Sequence, residues 1–230
     1  MAAGLGFEIP VARWSAWPHG CSEAVQAPDV QFVDPSLRRR LGPLARMMLH
    51  VARACAEDVP DLRLVFASQH GELSYTIALL RSLSAAEPLS PTLFSLSVHN
   101  SAPGLFSTWR ADRAESTALA AGEETLGHAL LEAYCQLRAD PARPVLMVYG
   151  DRPLPQEYRE FAPEFEDAHA HGHAVAVLLS SEALRRASVS AHAAANAAPS
   201  GETQAESFIG YLQEGRPARW IGRAKTWSWH

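Results

Sequence analysis

The chain has 230 residues, 47% of them hydrophobic and 20% charged, and carries a net charge of −5. That is enough chain for one sizeable core in an ordinary globular protein. The acidic balance, with no basic block beyond Arg38-Arg39-Arg40, argues against a dedicated nucleic-acid binder.

Cys21, Cys55 and Cys135 have no short paired spacing, so neither a disulfide framework nor a zinc knuckle is expected, and no metal or other cofactor is called for. Cys55 and Cys135 fall on helical apolar patterns and read as small core residues. No apolar run approaches the ~20 residues that span a bilayer. The N-terminus lacks the basic start and long apolar run of a secretory signal, so a soluble cytoplasmic protein is expected.

Along the chain, residues 7–17 mix apolar and β-branched types around Pro10 and predict a first strand, ended by Pro18-His19-Gly20. Residues 20–33 read as loop. Asp34-Pro35 is a helix start, with Asp as cap and Pro at the first position. A bend at Gly42-Pro43 leads into a longer helix with Leu44, Met47, Met48, Val51 and Cys55 on one face, before Pro60. Residues 62–67 (LRLVFA) predict a buried strand, and the polar turn Ser68-Gln69-His70-Gly71-Glu72 leads to a helix through Tyr75, Ile77, Leu79, Leu80 and Leu83. Residues 92–110 predict a helix in two pieces split at Pro103-Gly104.

Residues 116–138 (STALAAGEETLGHALLEAYCQLR) organise the rest. A short β-favouring piece turns at Ala120-Ala121-Gly122 and becomes an amphipathic helix with Leu126, Leu130, Ala133, Tyr134 and Leu137 on one face. In α/β enzymes a nucleophile often sits at such a strand–helix turn, because the helix N-terminus favours negative charge. Here the tip is near Leu119, which has no nucleophilic or ligating atom, and Glu123 and Glu124 follow in the first helical turn.

Residues 144–150 and 172–180 predict two more buried strands, an antiparallel pair at one sheet edge because no helix separates them. Residues 154–173 read as exposed loop and residues 187–203 as a flexible connector. The tail holds a short amphipathic helix (Phe208, Ile209, Leu212) and two alternating Trp-containing segments, read as a strand edge or a partner contact. The domain is therefore predicted as residues 1–186, an α/β layered unit with a largely parallel sheet, followed by a linker and C-terminal appendage over 187–230.

The order and motifs from about residue 34 to 182 resemble the N-terminal half of a β-ketoacyl synthase, the thiolase-like condensing enzyme of fatty-acid and polyketide synthesis. Its nucleophile segment S-T-A-C-A-A/S-S falls without gaps on Ser116-Thr117-Ala118-Leu119-Ala120-Ala121-Gly122, with Leu119 at the cysteine. Residues 94–104 (FSLSVHNSAPG) look like the family's S-x-x-x-N-x-x-x-G stretch, and Ser68-Gln69-His70-Gly71 stands where synthases have a glycine-rich turn. The C-terminal half that supplies two histidines and a lysine has no counterpart.

The resemblance implies half of a thiolase-like fold, a mixed sheet layered with helices. It also implies a chain-length-factor type of subunit, like the short forms of aryl polyene clusters, that pairs as a heterodimer with a catalytic synthase and has no catalytic residues of its own. An acyl carrier protein is a further implied partner. By the same resemblance Glu115, Ser116, Thr117 and Ala118 lie at the subunit interface, while Leu119, Phe94, Leu105, Phe106 and Trp109 wall an acyl tunnel. The tail from residue 207 is expected to cover sheet surface that the missing half would bury.

Other readings stand beside it. His99-Asn100 is a polar pair at a tunnel or interface, or a helix break bonded to backbone. Ser68-Gln69-His70 lacks a G-x-S-x-G elbow and reads as a contact turn rather than a hydrolase site. His169, His171 and His173 alternate and could share a strand face around a metal, though a solvated loop is the plainer reading. Arg38-Arg39-Arg40 is a solvated helix face or a docking point for an acidic carrier. Trp220, Trp227 and Trp229 pack on the sheet or on a partner. A homodimeric scaffold binding acyl chains or a carrier protein is the alternative function.

Overall fold

The computed structural model describes residues 4–18, 27–159, 172–194 and 197–230. Its strands are β1 (Leu5–Trp17), β2 (Arg63–Ala67), β3 (Ser116–Leu119), β4 (Val145–Asp151), β5 (His173–Leu179), β6 (Arg186–Ala193), β7 (Ala218–Ile221) and β8 (Lys225–Trp229). Its helices are α1 (Pro35–Arg38), α2 (Pro43–Ala56), α3 (Leu73–Ser84), α4 (Pro91–Ser97), α5 (Ser101–Arg110), α6 (Thr125–Ala139), α7 (Gln156–Arg159) and α8 (Gln204–Glu214). Among the described residues no helix is long and apolar enough to cross a membrane.

The strands form one eight-stranded sheet in the order β3-β2-β4-β5-β1-β6-β8-β7. Only β3, β2 and β4 run parallel, and every later neighbour is antiparallel, so the sheet is mixed rather than largely parallel. The long strand β1 joins two sub-sheets. Residues 5–10 pair with β6 and residues 11–17 with β5, with a register shift between Val11 and Arg13. Pro10, which has no N–H to donate, stands where the partner changes. The β4–β5 pair is antiparallel as predicted but lies in the middle of the sheet, because β1 covers its far side.

The period-2 alternation of the strands sorts two cores. On one face Leu64, Phe66, Leu146, Val148, Ala176 and Leu178 pack against the apolar stripe of α2 and against α5. On the other, Val65, Met147, Val175, Val177, Ile9 and Val189 pack against α6 and α8, together with Trp220, Trp227 and Trp229 of the tail. The tail tryptophans are therefore sheet core. The predicted connector over 187–203 is instead strand over its first part, 187–193. Its small residues Ala187, Val189 and Ala191 alternate inward, and β6 pairs with both β1 and β8. Low side-chain volume looked like flexibility in the sequence, but here it is what fits beneath the tail tryptophans.

Helix starts follow local chemistry. Asp34 accepts from the N–H groups of Ser36 and Leu37, with Pro35 at the first position of α1. Thr203 and Glu206 form a reciprocal capping box on α8. The break between α4 and α5 falls at Val98, His99 and Asn100, not at Pro103-Gly104. Pro103 lies in the first turn of α5, where its missing N–H has no helical acceptor. The α3 stripe is also misjudged by periodicity: Ile77 is buried, but Leu80 and Leu83 are exposed.

Arg63 shows how β2 and α6 are fastened. Its guanidinium, buried at the start of β2, donates to the carbonyl oxygens of Gln136 (2.6 Å), Asp140 (2.7 Å) and Arg143 (2.6 Å), at and just beyond the C-terminal end of α6. Arg63→Met removes these donors and leaves the carbonyls under cover. The expected result is a loss of about 3 kcal/mol in urea unfolding, with the denaturant slope unchanged.

Candidate functional site

Because β3, β2 and β4 are parallel, their C-terminal ends share one edge, where an open α/β sheet places its ligands. Leu119 ends β3 there. The Ser68 N–H donates to the Leu119 carbonyl at 3.2 Å, so the polar turn 68–71 adjoins the elbow. His99 Nε2 donates to the Ser68 carbonyl at 2.8 Å. The sequence candidates Leu119, Ser68, Gln69, His70 and His99 are thus brought together.

What binds the turn is a residue not singled out in the sequence. The buried Asp151 carboxylate at the end of β4 accepts from the Ser68 hydroxyl (2.7 Å), the Gln69 N–H (2.9 Å), the His70 N–H (3.1 Å) and the Tyr149 phenol (2.6 Å). The Gly71 N–H in turn donates to Ser68 Oγ at 2.8 Å. Burial, with Asp151 adjacent, drives the Tyr149 phenol well above its ordinary value, so it stays protonated and donating. Burial lowers the His70 pKa, opposed by Asp151 and reinforced by His99. His173 stacks on Tyr149 at 5.8 Å between ring centroids.

Gln69, His70, Tyr149, Arg152, Leu154 and Thr203 line a small open cleft over this cluster. The only signal in the sequence was an acidic residue closing an apolar strand, VLMVYGD. Across the turn, Glu72 accepts from the Leu44 and Ala45 N–H groups at the start of α2, both at 3.1 Å. Burial raises its pKa.

The elbow itself is built as the spacing predicts. Gly122 takes φ +60°, a conformation that suits glycine in a tight turn, and Thr125 Oγ1 donates to the Gly122 carbonyl and accepts from the Ala121 N–H. The helix begins at Thr125, so Glu124 is its cap residue and Glu123 precedes it, and neither lies in the first turn as expected.

Both carboxylates are engaged by the tail. Glu123 accepts from the Arg223 N–H, and buried Glu124 pairs with Lys225 Nζ at 2.7 Å. The Gly127 N–H donates to Gln204 Oε1 at 2.8 Å. A side chain at 127 would meet the Trp227 ring at 2.7 Å, so glycine is what lets the hairpin seat on the helix.

The expected tunnel wall does not form one surface. Half-buried Leu119 packs on the α6 face. Leu105 and Phe106 are core on the α5 face, with the Phe106 ring tilted against both Phe66 and Trp109, and Trp109 lies edge-on to Phe32. Phe94 on α4 is 62% exposed. Asn100 precedes α5 without a side-chain cap bond, so only His99 of that pair is bonded to backbone.

Ser116 and Ala118 are exposed on edge strand β3, Thr117 accepts from Gln136, and Glu115 pairs with Arg143 at 3.4 Å. His169 and His171 lie outside the described residues. His173 is buried on β5, and no group of metal-ligating side chains occurs among the described residues. Arg39 and Arg40 are exposed beyond α1.

Asp151→Asn replaces an acceptor of four bonds with a group that turns donors toward donors. An expected loss of about 3 kcal/mol in thermal or urea unfolding checks it. For Glu72, the raised folded value means the folded state still holds a proton where the unfolded chain has released it. Its contribution to stability is therefore greatest below about pH 4.5 and falls as pH rises through the raised value. Glu72→Gln removes that dependence, so wild-type stability relative to the variant should decline from about pH 4 to pH 7 in parallel unfolding titrations.

A family model described as the β-ketoacyl synthase N-terminal domain matches residues 12–230. A chain of the ketosynthase ApeO in complex with its chain length factor ApeC, from Xenorhabdus doucetiae, superposes with a TM-score of 0.81 at 23% identity, over 97% of this chain and 99% of that one. A β-ketoacyl synthase from Burkholderia phymatum gives 0.54 at 11% identity, over 67% of this chain and 46% of that one. The ishigamide ketosynthase/chain length factor gives 0.54 at 17%, over 74% and 54%. At these identities the likeness is one of fold, half of the thiolase-like architecture. A search of curated protein sequences finds no match. With the family model spanning nearly the whole length, the chain belongs to the β-ketoacyl synthase N-terminal domain family.

Proposed function

We propose that this protein is a non-catalytic, chain-length-factor-like subunit that pairs with a catalytic β-ketoacyl synthase in fatty-acid or polyketide synthesis of the aryl polyene type. The observation that carries the reading is the elbow. Its strand, turn and helix are intact, and the residue at its tip, Leu119, offers neither a thiolate nor a proton. The thiol and the histidines would come from the partner. The solved structures with a similar fold include ketosynthases held with chain length factors, which supports the same reading.

The geometry of β3 supports a partner at that edge. The Glu115 and Leu119 carbonyls accept from β2, so by alternation the backbone groups of Ser116 and Ala118 point to the open edge. The exposed residues of the strand are small, with no lysine or proline to guard it. In this reading exposed Phe94 from α4, with Leu105, Phe106 and Trp109 behind it on the α5 face, contributes to one acyl-chain wall, and Leu119 from the elbow contributes separately on the other face of the sheet. Arg39 and Arg40 are then available to an acidic carrier protein.

The alternative, a homodimeric acyl-chain or carrier-binding scaffold, is favoured by the exposed apolar residues Leu80, Leu83, Leu89, Phe94 and Val98, which a second copy could cover.

Co-expression with the synthase encoded nearest to this chain, followed by light scattering, separates the two. A one-to-one complex whose condensing activity depends on this chain is the expected result. A homodimer that ignores the synthase removes the subunit reading. Ala118→Pro deletes an outward N–H without touching the β2 ladder, so it should lower synthase affinity at least roughly tenfold while leaving the melting temperature within a few degrees.

A further inference from the structure

We propose that the C-terminal residues 204–227 are a built-in occupant of the elbow, so that this segment as well as Leu119 holds the elbow inert. The inference rests on reading Leu119 as the position a nucleophile would take.

An active elbow keeps the positive end of its helix and its free N–H groups for a developing anion. Here three of those N–H groups are already used, two within the elbow and one by the tail. The Ala121 N–H goes to Thr125 Oγ1, the Thr125 N–H to the Gly122 carbonyl, and the Gly127 N–H to Gln204 Oε1. Two carboxylates, Glu123 and Glu124, stand at the same helix end, where they disfavour another negative charge.

The occupant is anchored at three further points: Arg223 N–H on Glu123, Lys225 on Glu124, and the Trp227 ring on Gly127. The junction is also polar where a plain cover would be apolar. The buried atoms Glu124 Oε1, Gln204 Nε2 and Trp227 Nε1 have no hydrogen-bond partner among the described residues, a cost that an apolar cover of the same shape avoids.

The test is the pH dependence of iodoacetamide labelling in Leu119→Cys, resolved by peptide mass spectrometry so that Cys21 and Cys135 are read separately. Cys55 should be silent, since burial pushes its thiol up to about 12. The expected midpoint at position 119 is at or above about 8.5, that of an ordinary thiol. Adding Gln204→Met, which frees the Gly127 N–H, or Glu124→Gln, which removes a negative charge, should each lower the midpoint by roughly half a unit.

A midpoint below about 7.5 in Leu119→Cys alone overturns the proposal, since the thiol would then be activated with the segment in place. So does a midpoint unmoved by Gln204→Met, the substitution within the segment. If circular dichroism shows Gln204→Met unfolded, Gln204→Glu keeps an acceptor and adds charge. It must raise the midpoint, and an unchanged value there also overturns the proposal. Failure of the subunit reading appears elsewhere, as a wild-type chain that does not bind the synthase, which the thiol midpoint does not report.

Discussion

An apolar sheet face cannot be left in water, and this protein is arranged around covering one. The inward positions of β1, β4, β5 and β6 are apolar on the side that carries α6. One helix is about 10 Å across, whereas strands stand about 4.8 Å apart, so α6 alone leaves most of that face bare. The tail supplies the rest. The helix α8 brings Phe208, Tyr211 and Leu212, and the β7–β8 hairpin brings three tryptophans while lengthening the sheet. Small residues on β6 and Gly127 on α6 are the complement of those large rings.

This covering has an electrostatic consequence at the elbow. The tail reaches the N-terminus of α6 with polar groups as well as apolar ones, and its amide, ammonium and backbone N–H engage the groups there. The end of the helix that would stabilise an anion is thus satisfied from within. Beside it, Asp151 gathers four donors from the turn after β2 and from Tyr149, holding the neighbouring loop rigid at the same sheet edge. Two adjacent parts of one edge are therefore fixed by different carboxylates. One organises a turn and the other ties down the tail.

The uncovered surfaces contrast with this interior. Edge strand β3 leaves its outward backbone groups unpaired by the sheet, and exposed leucines and a phenylalanine lie on and between α3 and α4. The other end of the sheet is guarded differently. The outward positions of β6, β7 and β8 include Ser188, Ser190, His192, Arg219, Thr226 and Ser228, a mostly polar face with half-buried Ile221 among them. Most of the exposed large apolar residues lie on and beside α3 and α4, with Leu5 and Leu184 elsewhere.

Local chemistry in the sequence determined the caps at Asp34 and Thr203, the strand–turn–helix at Leu119, the α2 and α6 stripes, and the absence of a nucleophile at the tip. Each of these depends on residues within a few positions of one another, so spacing and side-chain type suffice to read them. Tertiary structure alone decided the central place of β4–β5, the strand within 187–203, the exposure of Leu80 and Leu83, the splitting of Leu119 from Leu105 and Phe106 by the sheet, and the pairing of Glu124 with Lys225. Those outcomes join residues far apart in the chain, Glu124 and Lys225 at 101 positions and the β1 and β6 partners at still greater separation. Periodicity shows that a face is apolar but not what will cover it, and an isolated Asp, Gln or Gly gives no sign of its distant partner until the sheet brings the two together.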